Sequence, residues 1–125
     1  MFDREHRKYK RSRFVFPVRI GVLPRNTPEA EPVEHFHAFS NNISEGGLKI
    51  TLARPLEKDL LLELRFDLII REELHLVRTR AHIHWSHPRE DGTIEYGLVF
   101  EKLPENEWKI VTRFMEEYCR DVSQK

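Results

Sequence analysis

The chain has 125 residues and no net formal charge, 21 Lys and Arg balancing 21 Asp and Glu, which fits one domain with its own core and excludes a globally basic nucleic-acid coat. Hydrophobic residues at 39% exclude a disordered chain, and no apolar run reaches membrane-spanning length, so no membrane insertion is expected. The lone Cys119 excludes an intrachain disulfide and a cysteine zinc cluster, and with a charged N-terminus unlike a secretory leader it implies a cytoplasmic protein.

Residues 1–13 read as a flexible basic arm. "RKYKRSR" sets Arg7, Lys8, Lys10, Arg11 and Arg13 within seven positions, and residues 1–25 hold eight Lys or Arg against Asp3 and Glu5. Like charges this close repel one another, so the cluster points to a local anion site. Residues 14–125 then read as one folded unit. Phe14, Phe16, Val18, Ile20 and Val22 alternate on one side of a strand in which Pro17 marks an edge or a bulge. A proline-rich connection around 24–32 leads to a second strand at "EHFHAFS".

"GGLKITL" and "DLLLELRFDLII" are further alternating strands, the second turning Leu60, Leu62, Leu64, Phe66, Leu68 and Ile70 to one face. In "ELHLVRTRAHIHWSH" the inward set is Val77, Thr79, Ala81, Ile83 and Trp85, and the out-of-phase Leu74 and Leu76 predict a bulge near Val77. The turn signal "REDG" joins this strand to "TIEYGLVF" as a hairpin. From Pro104 the period becomes helical, with Trp108, Val111, Met115, Tyr118 and Val122 on one face, predicting a helix over about 104–122. Six strands with short antiparallel connections and one terminal helix imply an all-β fold, a closed six-stranded antiparallel barrel whose open end the C-terminal α-helix covers.

"NNISEGGLKI" is the second informative stretch. Asn42 and Ser44 carry short polar side chains close to the backbone, and Gly46 and Gly47 permit positive φ and an exposed run of amides. Such a segment serves equally as an anion-facing turn or as a plain hairpin turn. The order of features narrows the choice: Arg7-x-x-x-Arg11, two strands, Asn42-x-Ser44-x-x-Gly47, more strands, "YGLVF" and a helix.

That order, over nearly the whole chain, resembles the PilZ domain family, whose pattern is RxxxR followed by (D/N)xSxxG on a six-stranded barrel with a C-terminal helix. The resemblance implies a non-enzymatic receptor for cyclic di-GMP, with Arg7, Arg11, Asn42, Ser44 and Gly47 as ligand-binding residues and no catalytic residue, metal or cofactor. His6, Lys8, Lys10, Arg13 and Gly46 are expected in support. The arginine fork suits guanine O6 and N7, phosphate and the purine face alike. Asn42 stands where many relatives carry Asp and accepts without a carboxylate's strength. Ser44 either touches ligand or fixes the turn, and His6 leaves open whether one ligand or a stacked pair binds.

The expected output is a changed surface offered to a downstream effector protein of motility, exopolysaccharide or pilus machinery. The alternative is a PilZ-like module that works by protein contacts alone and binds no nucleotide. A nucleic acid polymer is not the expected partner, because strand aromatics fall mostly in the inward phase. His82 and His84 share metal-ligand spacing, but Arg78 and Arg80 on the same face would repel a dication, so a solvated face is the expectation there.

Overall fold

A computed structural model describes residues 15–25, 29–40 and 42–118. Seven strands and one helix follow in order: β1 (Phe16–Val22), β2 (Glu34–Ser40), β3 (Ile43–Ser44), β4 (Gly47–Leu52), β5 (Leu61–Ile70), β6 (Glu73–Pro88), β7 (Ile94–Phe100) and α1 (Glu105–Tyr118). The sheet runs β2-β1-β5-β6-β7-β4, every neighbour antiparallel, and Phe39 of β2 pairs with Thr51 of β4 to close the ring. Six strands therefore make the barrel, as the periodicity implies, and the two-residue β3 is a spur on β4.

Alternation fills the interior. Val18, Ile20, Ile50, Leu62, Leu64, Leu68, Ile70 and Val77 are all but inaccessible, and Phe66 lies 5.4 Å from the Phe16 ring and 6.5 Å from that of Phe100. Each such side chain contributes about 1.5–3 kcal/mol by leaving water. α1 adds Val111, Phe114 and Met115 to the same core. Pro17 falls where β1 has a neighbour on one side only, since pairing with β5 starts at Arg19.

Four expectations need correction. There is no bulge near Val77: β5 and β6 pair without interruption from Leu61↔His82 to Ile70↔Glu73, and Leu74 and Leu76 simply face outward. The irregularity lies between Ile83 and Trp85, in register with β7, and it turns Trp85 out of the core. On α1 Trp108 is exposed and Phe114 takes the buried place, because only part of the helix face meets the barrel end. Gly46 and Gly47 do not use positive φ; among the described glycines only Gly92, in the β6–β7 turn, does. Phe14, Cys119 and Val122 lie outside the described residues.

The β5–β6 hairpin turns on Arg71 and Glu72, both at positive φ (51° and 72°), where Asn-Gly would be easier. The end of α1 holds it: the Arg71 amide donates to the Tyr118 hydroxyl at 2.8 Å, and the Arg71 guanidinium meets Glu117 at 3.0 Å. Among the described residues no helix is long and apolar enough to cross a membrane.

Candidate functional site

The second motif begins where β2 ends. Ser40 is buried, and its hydroxyl lies 3.3 Å from both the amide and the carbonyl of Asn42, accepting from one or donating to the other. The Lys49 amide also donates to the Asn42 carbonyl, at 3.0 Å. Asn42 is thus a buried corner between β2 and the β3–β4 hairpin. In that hairpin Ser44 pairs with Gly47, leaving Glu45 and Gly46 as the two-residue turn. The Gly46 amide donates to the Ser44 hydroxyl at 3.3 Å, so this hydroxyl shapes the turn, and the Phe100 amide donates to the Gly46 carbonyl at 2.9 Å.

The two glycines differ. A Cβ on Gly47 would overlap the Leu98 carbonyl oxygen and come within 3.0 Å of its carbon and 3.1 Å of Val99 Cα, all backbone. Close approach of β4 to β7, and not positive φ, is why the position has no side chain. Gly46 is exposed, with only the Ser44 hydroxyl, 4.0 Å away, near its missing Cβ.

Trp85 completes the surface beside this turn, and sequence reasoning placed it inward. Trp85 pairs across from Gly97, and a Cβ there would run into the indole, so the ring lies flat on the glycine while 42% of the residue stays exposed. The "W…YG" spacing, with a strand glycine opposite a tryptophan, is the signal that could have located it. A groove of about 360 Å³ runs along Ser44, Gly46, Gly47, Lys49, Trp85 and Gly97. Lys49 also lines a neighbouring cavity of about 540 Å³ whose rim includes Val15, Ser40, Asp91 and Glu95. Charge here is mixed: Glu95 lies 3.5 Å from Lys49 and 3.1 Å from Arg89. Asp91 Oδ1 accepts from the Thr93 hydroxyl (2.6 Å) and amide (3.0 Å), which holds its carboxyl below the usual range.

Arg7 and Arg11, with His6, Lys8, Lys10 and Arg13, lie outside the described residues. Their point of attachment does not: Phe16 pairs with Ser40, so the arm leaves the barrel beside the strand end that leads into Asn42. Arg11 precedes Val15 by four positions, a reach of at most about 14 Å. The structure therefore brings Asn42, Ser44, Gly46 and Gly47 together and roots the arm next to them. Among the described residues no three His, Cys, Asp or Glu side chains gather as metal ligands.

A family model described as PilZ domain matches residues 5–117. The chain belongs to the PilZ domain family. Three solved PilZ-fold structures resemble it. Bacillus subtilis inhibitor of motility (MotI/DgrA) superposes with a TM-score of 0.74 at 20% identity, covering 96% of this chain and 53% of that one. The PilZ domain of Escherichia coli YcgR, solved with c-di-GMP, gives 0.54 at 12% identity over 95% of each chain. The PilZ domain of CeSA from a cellulose-synthesizing bacterium gives 0.53 at 14% identity, covering 86% of this chain and 95% of that one. This PilZ chain spans about half the length of MotI/DgrA. No curated protein sequence matches it significantly.

Proposed function

We propose that the protein is a cyclic di-GMP receptor without catalytic activity, in which ligand bridges the RxxxR arm and the NxSxxG turn. The observation that carries this reading is the Phe16↔Ser40 pairing, which roots an arm bearing Arg7 and Arg11 beside the corner at Asn42. Membership of the PilZ family supports it, as does the c-di-GMP bound in the E. coli YcgR domain.

Arg7 and Arg11 take guanine edges and phosphates, since a guanidinium chelates O6 and N7 and pairs with phosphate without losing its charge. Asn42 presents an amide acceptor to a guanine N–H. Ser44 and Gly47 act by shape, one fixing the turn and the other bringing it against β7. Trp85 offers a flat exposed ring for one guanine, a contact worth about 1–3 kcal/mol in aromatic–base pairs generally. His6, Lys8, Lys10, Arg13 and Lys49 add electrostatic attraction, and Gly46 leaves the turn accessible. Bridging ties the arm to the turn and changes the surface offered to a downstream protein.

Calorimetry with cyclic di-GMP tests this. Saturable binding that Arg11→Ala removes, and that GTP does not reproduce, is the expected result. No heat at millimolar ligand in low salt, from protein with a normal melting curve, would overturn it in favour of a module working by protein contacts alone.

A further inference from the structure

The outer face of β1, β5 and β6 carries a transverse row of arginines, with His37 of β2 beside it. Arg19 pairs with His37 on one side and Arg65 on the other, and Arg65 pairs with Arg78. The three arginines cross two strand gaps, about 10 Å. Like charges directly opposite in a sheet are unfavourable. The nearby compensation is slight: Glu63 lies 3.9 Å from Arg65 and 3.7 Å from Arg78, and Arg19 makes no ion pair among the described residues.

Two residues further along the same strands stand Phe39, Pro17, Asp67 and Leu76, with Ile69 and Leu74 beyond. Five of the eight exposed large apolar side chains among the described residues lie at this end: Val15, Phe39, Ile69, Leu74 and Leu76, each at least half exposed. A groove of about 390 Å³ between Val15, Ile69, Leu74 and Tyr118 continues the patch. Toward the other end, Pro32 lies over Gly21, where a Cβ would come within 2.8 Å of it, so the β1–β2 connection bounds the open face. A contiguous apolar patch beside an under-compensated cationic row is an interaction surface.

We propose that this face docks an acidic amphipathic helix of a partner protein. The barrel is closed, so a partner cannot add a strand and must dock through side chains. Carboxylates at i and i+3 or i+4 on a helix stand about 5–6 Å apart, close to the spacing between strands, and 10 Å of helix is about seven residues. The apolar band lies about 7 Å from the cationic row, within the width of one helix. Phe39 is the one exposed aromatic side chain of the band, beside the aliphatic Ile69, Leu74 and Leu76, where single-stranded nucleic acid uses several stacking faces in succession. The proposal is separable from nucleotide binding, because Arg19, Arg65, Arg78, Leu74 and Leu76 line neither the groove at Trp85 nor the cavity beside the second motif, although Val15, His37 and Phe39 line that cavity.

The test uses the full chain and a labelled eighteen-residue helical peptide with Leu and Ala on one face and Glu on the other, followed by anisotropy. Arg19→Glu and Leu76→Ser should each weaken binding about tenfold or more, and Lys58→Glu, beyond the far end of β5, by less than about twofold. A scrambled peptide of the same composition should bind at least about tenfold more weakly. Equal binding of the scrambled peptide, or indifference to both substitutions, would overturn the proposal. So would preferential capture by phosphatidylglycerol vesicles or a thymidine oligonucleotide that Arg19→Glu abolishes. Because Arg19→Glu and Leu76→Ser leave cyclic di-GMP titrations unchanged, failure here is distinguishable from failure of the receptor reading.

Discussion

Replacing each of the two adjacent glycines by alanine separates a structural glycine from a ligand-facing one. At Gly47 the new methyl meets the Leu98 carbonyl and the Val99 Cα, which are backbone and cannot rotate away. To reach ordinary contact distances β4 and β7 must part by about 1.5 Å. Six residue pairs, from Gly47↔Val99 to Leu52↔Ile94, resist that movement. Overpacking costs about 1–3 kcal/mol, and weakening two ladder hydrogen bonds adds about 1 kcal/mol each. A loss of about 3–5 kcal/mol follows, a large share of the 5–15 kcal/mol typical of a domain. It corresponds to a fall in Tm on the order of 10 °C. Gly46→Ala meets no such obstacle at ordinary φ and should leave Tm unchanged or slightly raised by stiffening the unfolded chain. Thermal melts followed by circular dichroism, with urea titrations for the free energies, read both. A Gly47→Ala protein that melts within about 2 °C of the parent would refute the close-approach argument.

Trp85→Ala should weaken cyclic di-GMP binding by about tenfold; unaltered calorimetric affinity of the folded variant would remove the platform from the site. Exchanging Arg71-Glu72 for Asn-Gly should raise stability by about 1 kcal/mol in urea titrations, because both residues occupy left-handed φ that L side chains resist. Loss of the Tyr118 contacts should make that turn more dependent on the replacement, so Tyr118→Phe in the parent lowers Tm more than in the Asn-Gly variant. The Asp91 carboxyl is held below its ordinary value by the Thr93 hydrogen bonds, a depressed acid, so its contribution is complete above the unfolded value of about 4 and disappears as pH falls through the folded one. The Thr93 amide resonance should follow that titration, and in Asp91→Asn it should not move.

Cyclic di-GMP recognition and partner docking would then use different parts of one barrel. The arm root lies at the start of β1 beside the end of β2, the Asn42 corner leads into β3 and β4, and Trp85 stands near the end of β6 that pairs with β7, while the arginine row crosses the middle of β1, β5 and β6. Val15 lines both the cavity beside the second motif and the apolar groove, so the point where the arm leaves the barrel adjoins both surfaces.

Period-two alternation was enough to locate five of the six barrel strands and most of their inward residues, because which side of a pleat a residue faces is a local property of the backbone. Leu62, Leu64, Phe66, Leu68 and Ile70 illustrate it. The Asn42-Gly47 segment and the PilZ resemblance were legible for the same reason, being short and contiguous. Trp85 was not: its direction depends on a one-residue slip of β6 against β7, which exists only once two distant segments pair. Gly47 looked like a flexible turn residue until Leu98, fifty-one positions away in the chain, was seen to occupy the space of its side chain. The row of Arg19, Arg65 and Arg78 likewise belongs to no segment of sequence. Each arginine sits on a separate strand, and only antiparallel register places them side by side.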